Sequence, residues 1–208
     1  MDDLPTIELD PGPWQPPGGC GPIAVGYLVA EGMLLRRVWV GEGRSVELLG
    51  KDDLLLPGRD ESVSFSRVEW EVVERARLAT LDLRPGSPTS RRPGVVAAIA
   101  NRAIDRSRSF AMQSAIMSIV GVEDRLHAML WALAERWGKP VPGGAEVDLG
   151  VSQGVLAEII GARRPTVSRA LGELCERGLL DVPTPGRWLL RGQPPKRAPL
   201  AGRSSARK

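Results

Sequence analysis

Two cysteines and one histidine are all that this 208-residue chain offers for thiolate or imidazole chemistry. Cys20 and Cys175 lie far apart and no Cys-x-x-Cys pair occurs, so a disulfide framework, a zinc ribbon and a four-thiolate iron–sulfur site have no basis. His127 sits in an apolar helical stretch and reads as a helix-surface or interface residue rather than a ligand. No nucleophile–base pair, glycine-rich phosphate loop or metal cluster can be assembled, so neither an enzyme nor a bound cofactor or metal is expected. No apolar run approaches the ~20 residues that span a bilayer. The start, Met1-Asp2-Asp3-Leu4, is acidic and leads into proline, unlike a signal peptide. A cytoplasmic protein with no membrane partner is the expectation. Charge of one sign is scarce as well: 28 basic against 25 acidic residues leave a net +3, too little to argue a nucleic-acid partner by itself. Its placement says more. From Arg191 onward there are six basic residues (Arg191, Lys196, Arg197, Arg203, Arg207 and Lys208) and no acidic one. Such a tail, 193–208, reads either as a solvated, disordered end or as a source of non-specific attraction to DNA.

Hydrophobic residues at 42% and charged residues at 25% are ordinary for a globular chain, and the length allows one large domain or two small ones. Residues 1–22, rich in proline and glycine, read as a loop-like lead-in. From Ile23 to Asp82 short apolar runs alternate with turn residues: Leu34–Val40, Ser45–Leu49, Asp53–Leu56, Trp70–Val73 and Leu78–Leu81. Runs of four to seven residues bounded by Gly, Pro or Asp predict an antiparallel β-roll, barrel or sandwich over 1–92. Gly41, Gly43 and Gly50 fall where tight turns would need positive φ, and Phe65 and Trp70 are candidates to fill the interior. Helical spacing follows over 93–121, in Val95, Val96, Ile99, Ala103 and Ile104 and again in Met112, Ala115, Ile116, Ile119 and Val120. The polar stretch Asp105–Ser109 interrupts that pattern chemically. Its stripe suits packing half on the β domain and half on a partner chain, or packing wholly within one chain. A second helix, Val122–Trp137, stops at Gly138 and Pro140.

Residues 151–182 carry the chemistry. Ser152 is a good N-cap for a helix ending at Gly161, which supplies a tight turn. A second helix starts near Arg164, with Pro165 in its first turn, where a missing N–H is harmless. Val167, Ala170, Leu171 and Leu174 form its buried face. Arg163, Arg164, Thr166, Ser168 and Arg169 are left near its exposed N-terminal half. A helix fits the major groove, and arginine can grip guanine O6 and N7 together. Hydroxyls and helix N-terminal amides suit phosphates, which adds Ser152 and Gln153 to the candidates. Leu179–Val182 and Arg187–Leu190 flank Pro183–Gly186 as a two-stranded wing, with Arg187 able to reach the DNA backbone. The unit 122–192 therefore reads as a winged helix-turn-helix, and the whole chain as α+β.

At Leu156–Leu171 the sequence resembles the helix-turn-helix of the CRP/FNR family of bacterial regulators. Val122-Glu123-Asp124-Arg125-Leu126 looks like the segment that opens the family's DNA domain, and Gly43, Gly50 and Lys51–Asp53 resemble its β-roll turns. The resemblance implies a β-roll sensor, a long dimerisation helix and a winged helix-turn-helix. It also implies double-stranded DNA as target, a homodimer on an inverted repeat, and RNA polymerase as a candidate partner in transcription regulation. By position Arg164 and Arg169 match base-contacting residues; Pro165 stands where many members have a glutamate, which removes an acceptor for cytosine N4. The stretch from Pro57 to Arg67 lacks the family's cyclic-nucleotide cassette, and the positions of its adenine-contacting hydroxyls fall on Phe110 and Ala111, which cannot bond a base edge. Control by cyclic nucleotide is therefore not expected. The alternative is a remodelled pocket taking cyclic AMP or another effector, with Arg59 or Arg67 meeting a phosphate.

Overall fold

The computed structural model describes residues 4–17, 25–56, 65–82, 84, 86, 87, 89, 91 and 93–195. Its N-terminal half is one six-stranded antiparallel sheet in the order β1 (Thr6–Leu9), β6 (Ser66–Asp82), β3 (Val25–Val40), β4 (Gly43–Leu49), with β2 (Gly12–Trp14) paired to β6 and β5 (Leu54–Leu55) to β3. Within the described part of the lead-in, residues 4–17, the chain is thus not simply a loop. Residues 6–9 and 12–14 are strands because Ile7, Leu9 and Trp14 alternate onto the core, and Trp14 packs edge-on against Tyr27 and Trp70 at 5.7 and 5.9 Å. The short strands expected from the apolar runs are also corrected: β3 and β6 are 16 and 17 residues long. Register shifts between Val29 and Leu34 let the pair continue through Gly32, where φ is +84° and a Cβ would lie 2.2 Å from the Arg75 carbonyl oxygen. Bulges bend a strand without ending it. Of the three turn glycines only Gly41 has positive φ; at the Gly50 turn the left-handed residue is Asp52, with φ 73°. Gly50 is required by space, since a Cβ there would sit 2.8 Å from Met33 Sδ and 3.0 Å from the Trp137 ring. Trp70 is buried in the roll as expected, but Phe65 is 73% exposed at the entrance to β6 and fills nothing.

Helix α1 (Pro93–Met117) is unbroken through Asp105–Ser109. The polar stretch is no interruption because Arg106 turns inward, its Nε and Nη2 donating to both Glu47 carboxylate oxygens at 2.8 and 2.7 Å and its Nη1 to the Leu54 carbonyl. Burial by itself would push the Glu47 carboxyl up, but Arg106, Arg36 and Arg136 together hold it below the usual range. Asp53, also buried, is pushed up by desolvation against the pull of Arg136, which it binds at 2.7 Å. Val96, Ile104, Phe110 and Met112 on α1 are each about half exposed.

The C-terminal unit contains α2 (Val122–Trp137), α3 (Gln153–Ile159), α4 (Arg164–Glu176) and a four-stranded sheet ordered β7 (Lys139–Val141), β8 (Gly144–Asp148), β10 (Arg187–Arg191), β9 (Leu180–Thr184). The wing is therefore half of a larger sheet, not a free two-stranded ribbon. The β7–β8 hairpin escaped the pattern because Pro140, Gly143 and Gly144 look like breakers. Pro140 is tolerated on an edge strand, and Gly144 lies so close to the Leu190 carbonyl that a Cβ would approach to 1.8 Å. Trp188, Leu190, Leu156, Ile160 and Leu174 form the fully buried centre of this unit. No described helix is long and apolar enough to cross a membrane.

On α2, the Trp131 indole N–H donates to His127 Nε2 at 3.0 Å. Burial lowers the His127 pKa, with Asp124 opposing. With the folded-state value below the ordinary 6.5, the fold favours the neutral ring, so its contribution is complete above 6.5 and is lost as pH falls from there through the lowered value. Urea midpoints of the whole chain should fall on acidification from about pH 7 to 5.5, and His127→Gln should flatten that slope.

Candidate nucleic-acid interface

Ser152 caps α3, its Oγ accepting from the Val155 amide at 3.2 Å. Gln153, half-buried, opens the helix. After Ile160 the chain reverses at Gly161, where φ is +63° and the Ala162 amide bonds back to the Ala157 carbonyl at 2.9 Å. Arg163 is the N-cap of α4, Arg164 its first residue and Pro165 its second. Val167, Ala170, Leu171 and Leu174 are buried against α2 and α3, so the same 3.6-residue period turns the other side outward. There Arg163, Arg164, Pro165, Ser168 and Arg169 are exposed and Thr166 is half-buried. Among the described residues none of these three arginines has an ion pair. They form a cationic surface, with Arg163 and Arg164 at the positive end of the helix and Arg169 more than a turn further along it.

Arg187 is differently placed. It lies on β10 with Nη2 held by Glu146 at 2.8 Å and Nε buried without a hydrogen-bond partner among the described residues, so it braces the sheet as much as it faces outward. Arg67 is exposed and paired to Glu69, and Arg59 lies outside the described residues, as does Cys20. Phe110 lies at the edge of a pocket between α1 and the sheet whose charged side chains are Arg36, Glu47 and Arg106, both arginines pairing with Glu47.

Two features of this surface are not readable along the chain. Arg125 donates from Nε and Nη2 to the Ile119 carbonyl and from Nη1 to that of Ile160, tying the joint between α1 and α2 to the turn between α3 and α4. Glu158, on the concealed side of α3, accepts from Arg37 of β3 at 2.6 Å. Glu158 foremost, against desolvation, raises the Arg37 pKa. Only the position of Arg125 within Val122–Leu126 hinted at the first, and nothing hinted at the second.

Residues 124–191 match the Crp-like helix-turn-helix domain family. Over 58 residues the chain is 40% identical to the global nitrogen regulator of Synechocystis and 41% identical to that of Synechococcus elongatus, covering 28% of this chain and 26% of each relative. The alignment thus spans about a quarter of the length of these curated relatives. Among solved structures, a CooA variant from Carboxydothermus hydrogenoformans superposes with a TM-score of 0.70 at 17% identity over 91% of this chain and 84% of its own. FixK2 from Bradyrhizobium japonicum gives 0.69 at 17% identity over 91% and 93%. A CRP/FNR-family transcriptional regulator from Thermus thermophilus gives 0.62 at 21% identity over 89% and 93%.

Proposed function

Because this chain carries a Crp-like helix-turn-helix domain on the fold of the CRP/FNR regulators, we propose that it is a DNA-binding transcription regulator, acting in the cytoplasm as a homodimer on an inverted-repeat operator. The observation that carries the reading is the set of guanidinium groups of Arg163, Arg164 and Arg169, without an ion pair among the described residues, on the exposed half of α4 opposite an apolar buried half. Arg164 and Arg169 read base edges in the major groove. Arg163, Thr166, Ser168, Ser152 and Gln153 hold phosphates, and Arg187 supports the wing beside them. Pro165 leaves cytosine N4 unread. The half-exposed apolar side chains of α1 supply the surface for a second copy, which sets two α4 helices about 34 Å apart in successive major grooves. RNA polymerase is the partner through which a bound dimer would act.

Effector independence is supported by the pairing of both Arg106 and Arg36 with Glu47, which engages the pocket's charged groups from within. Selection of bound fragments from a genomic library at moderate salt tests the main reading. An enriched inverted repeat is expected, with affinity falling as salt rises by a log–log slope of about −0.9 per phosphate neutralised. No enriched repeat would overturn it. Calorimetry with cyclic AMP and cyclic GMP tests independence; heat accompanied by tighter DNA binding would favour a ligand-gated switch instead.

A further inference from the structure

We propose that Glu158 is a positioning residue for DNA reading: its ion pair with Arg37 fixes the helix-turn-helix on the outer face of the chain's own β-roll and holds α4 in its DNA-ready placement. The proposal rests on the reading of function above. It starts from alternation along two strands. Leu34 and Leu49 point into the roll with Leu55, Trp70 and Val72. Met33, Leu35, Val46 and Leu48 point the other way, are at most 6% exposed, and belong to the same apolar cluster as the buried residues of α2, α3 and α4. An outer sheet face that would be polar if it met water is therefore a docking floor for the DNA-reading unit.

Apolar burial follows area and has little directional preference. A slide of α3 along this floor would keep most of it. The ions supply direction. Arg37 reaches Glu158 through Nε and Nη2 at 2.6 and 3.3 Å, while its Nη1 holds Glu71 of β6 at 2.6 Å, so the guanidinium is pinned from both sides. Arg44, seated over the Trp39 ring at 5.1 Å, is a second cation 3.7 Å from the same carboxylate. Glu158 stands three residues before the turn glycine Gly161, so its placement carries directly into Arg163 and Arg164. At the far edge of the same floor Arg136 binds Asp53, which prevents rotation about the first contact.

Electrostatics and positioning predict opposite signs. Removing an acidic charge near a polyanion should strengthen binding, whereas a misplaced reading helix weakens it. In the whole 208-residue chain, Glu158→Gln should weaken operator binding about tenfold with an unchanged salt slope, since no phosphate contact is lost. Amide exchange across residues 33–48 should accelerate about tenfold, and Arg37→Gln should do the same to both readouts. Operator binding by Glu158→Gln that equals or exceeds that of the parent protein overturns the proposal, and so does unaltered exchange across 33–48. If the parent protein itself binds no operator, the reading of function fails and the exchange measurement alone decides the clamp.

Discussion

Arg169→Ala and Arg164→Ala should each weaken binding to the selected operator by roughly 1–3 kcal/mol while leaving the melting temperature unchanged. Both side chains are exposed, and neither forms an ion pair among the described residues, so their removal takes nothing from the fold. The size of the effect comes from what a bidentate guanidinium does at a guanine edge, and the loss should be confined to the correct site. Binding to random DNA should hardly change. Arg163→Ala should behave differently, lowering affinity about equally for all sequences and reducing the salt slope by about 1. Anisotropy titrations on operator and scrambled duplexes at three salt concentrations separate these outcomes. A uniform loss for Arg169→Ala would assign it to phosphate rather than to a base, and no loss for either arginine would remove α4 from the interface.

Glu47→Ala should lower stability by about 3 kcal/mol, read as a shift in urea midpoint at constant slope. The carboxylate is 11% exposed and is shared by Arg106 at 2.7 Å and Arg36 at 3.5 Å, with side chains 23% and 18% exposed. Removing it leaves two cations facing one another with little water, whereas the attraction itself is partly offset by desolvation. The upper end of values for buried pairs is not expected because the arginines keep some solvent. Replacing Glu47 and Arg106 together by apolar residues should cost less than Glu47→Ala alone, a sign that the penalty lies in burying guanidinium charge after its carboxylate is removed. The pH dependence has two signs. Glu47, held low in the fold, contributes above its ordinary value of 4.5, and that contribution is lost in acid. Asp53, pushed up by burial, costs stability when charged and relieves that cost as pH falls. The exposed pair Arg75–Glu8, 68% and 60% exposed, is the control, where Glu8→Ala should change stability by less than about 1 kcal/mol.

The helix pair from Ser152 to Leu174 was legible residue by residue because everything that makes it is local. A cap bonds three residues ahead, a glycine permits φ of +63°, and apolar spacing of three and four picks the buried side. The strands were less legible for a reason visible at Gly32: an apolar run ends in the sequence where the strand merely bulges and goes on. Trp14 looked like part of a loop because its partners, Tyr27 and Trp70, arrive only through sheet pairing. Pro140 read only as a helix stop because edge position, which admits it to a strand, is a property of the finished sheet.

What the chain's own order of residues determined is the set of units and the cationic side of α4, since periodicity, capping and turn chemistry act over a few residues. What the tertiary structure alone decided is which of the many arginines are spoken for and where the DNA-reading unit sits. Arg37 meets Glu158 across 121 positions and Arg106 meets Glu47 across 59, and no local pattern distinguishes these guanidinium groups from those of Arg164 and Arg169. Coulomb attraction is indifferent to sequence distance, so its partners are chosen only when the fold has brought them within a few ångströms.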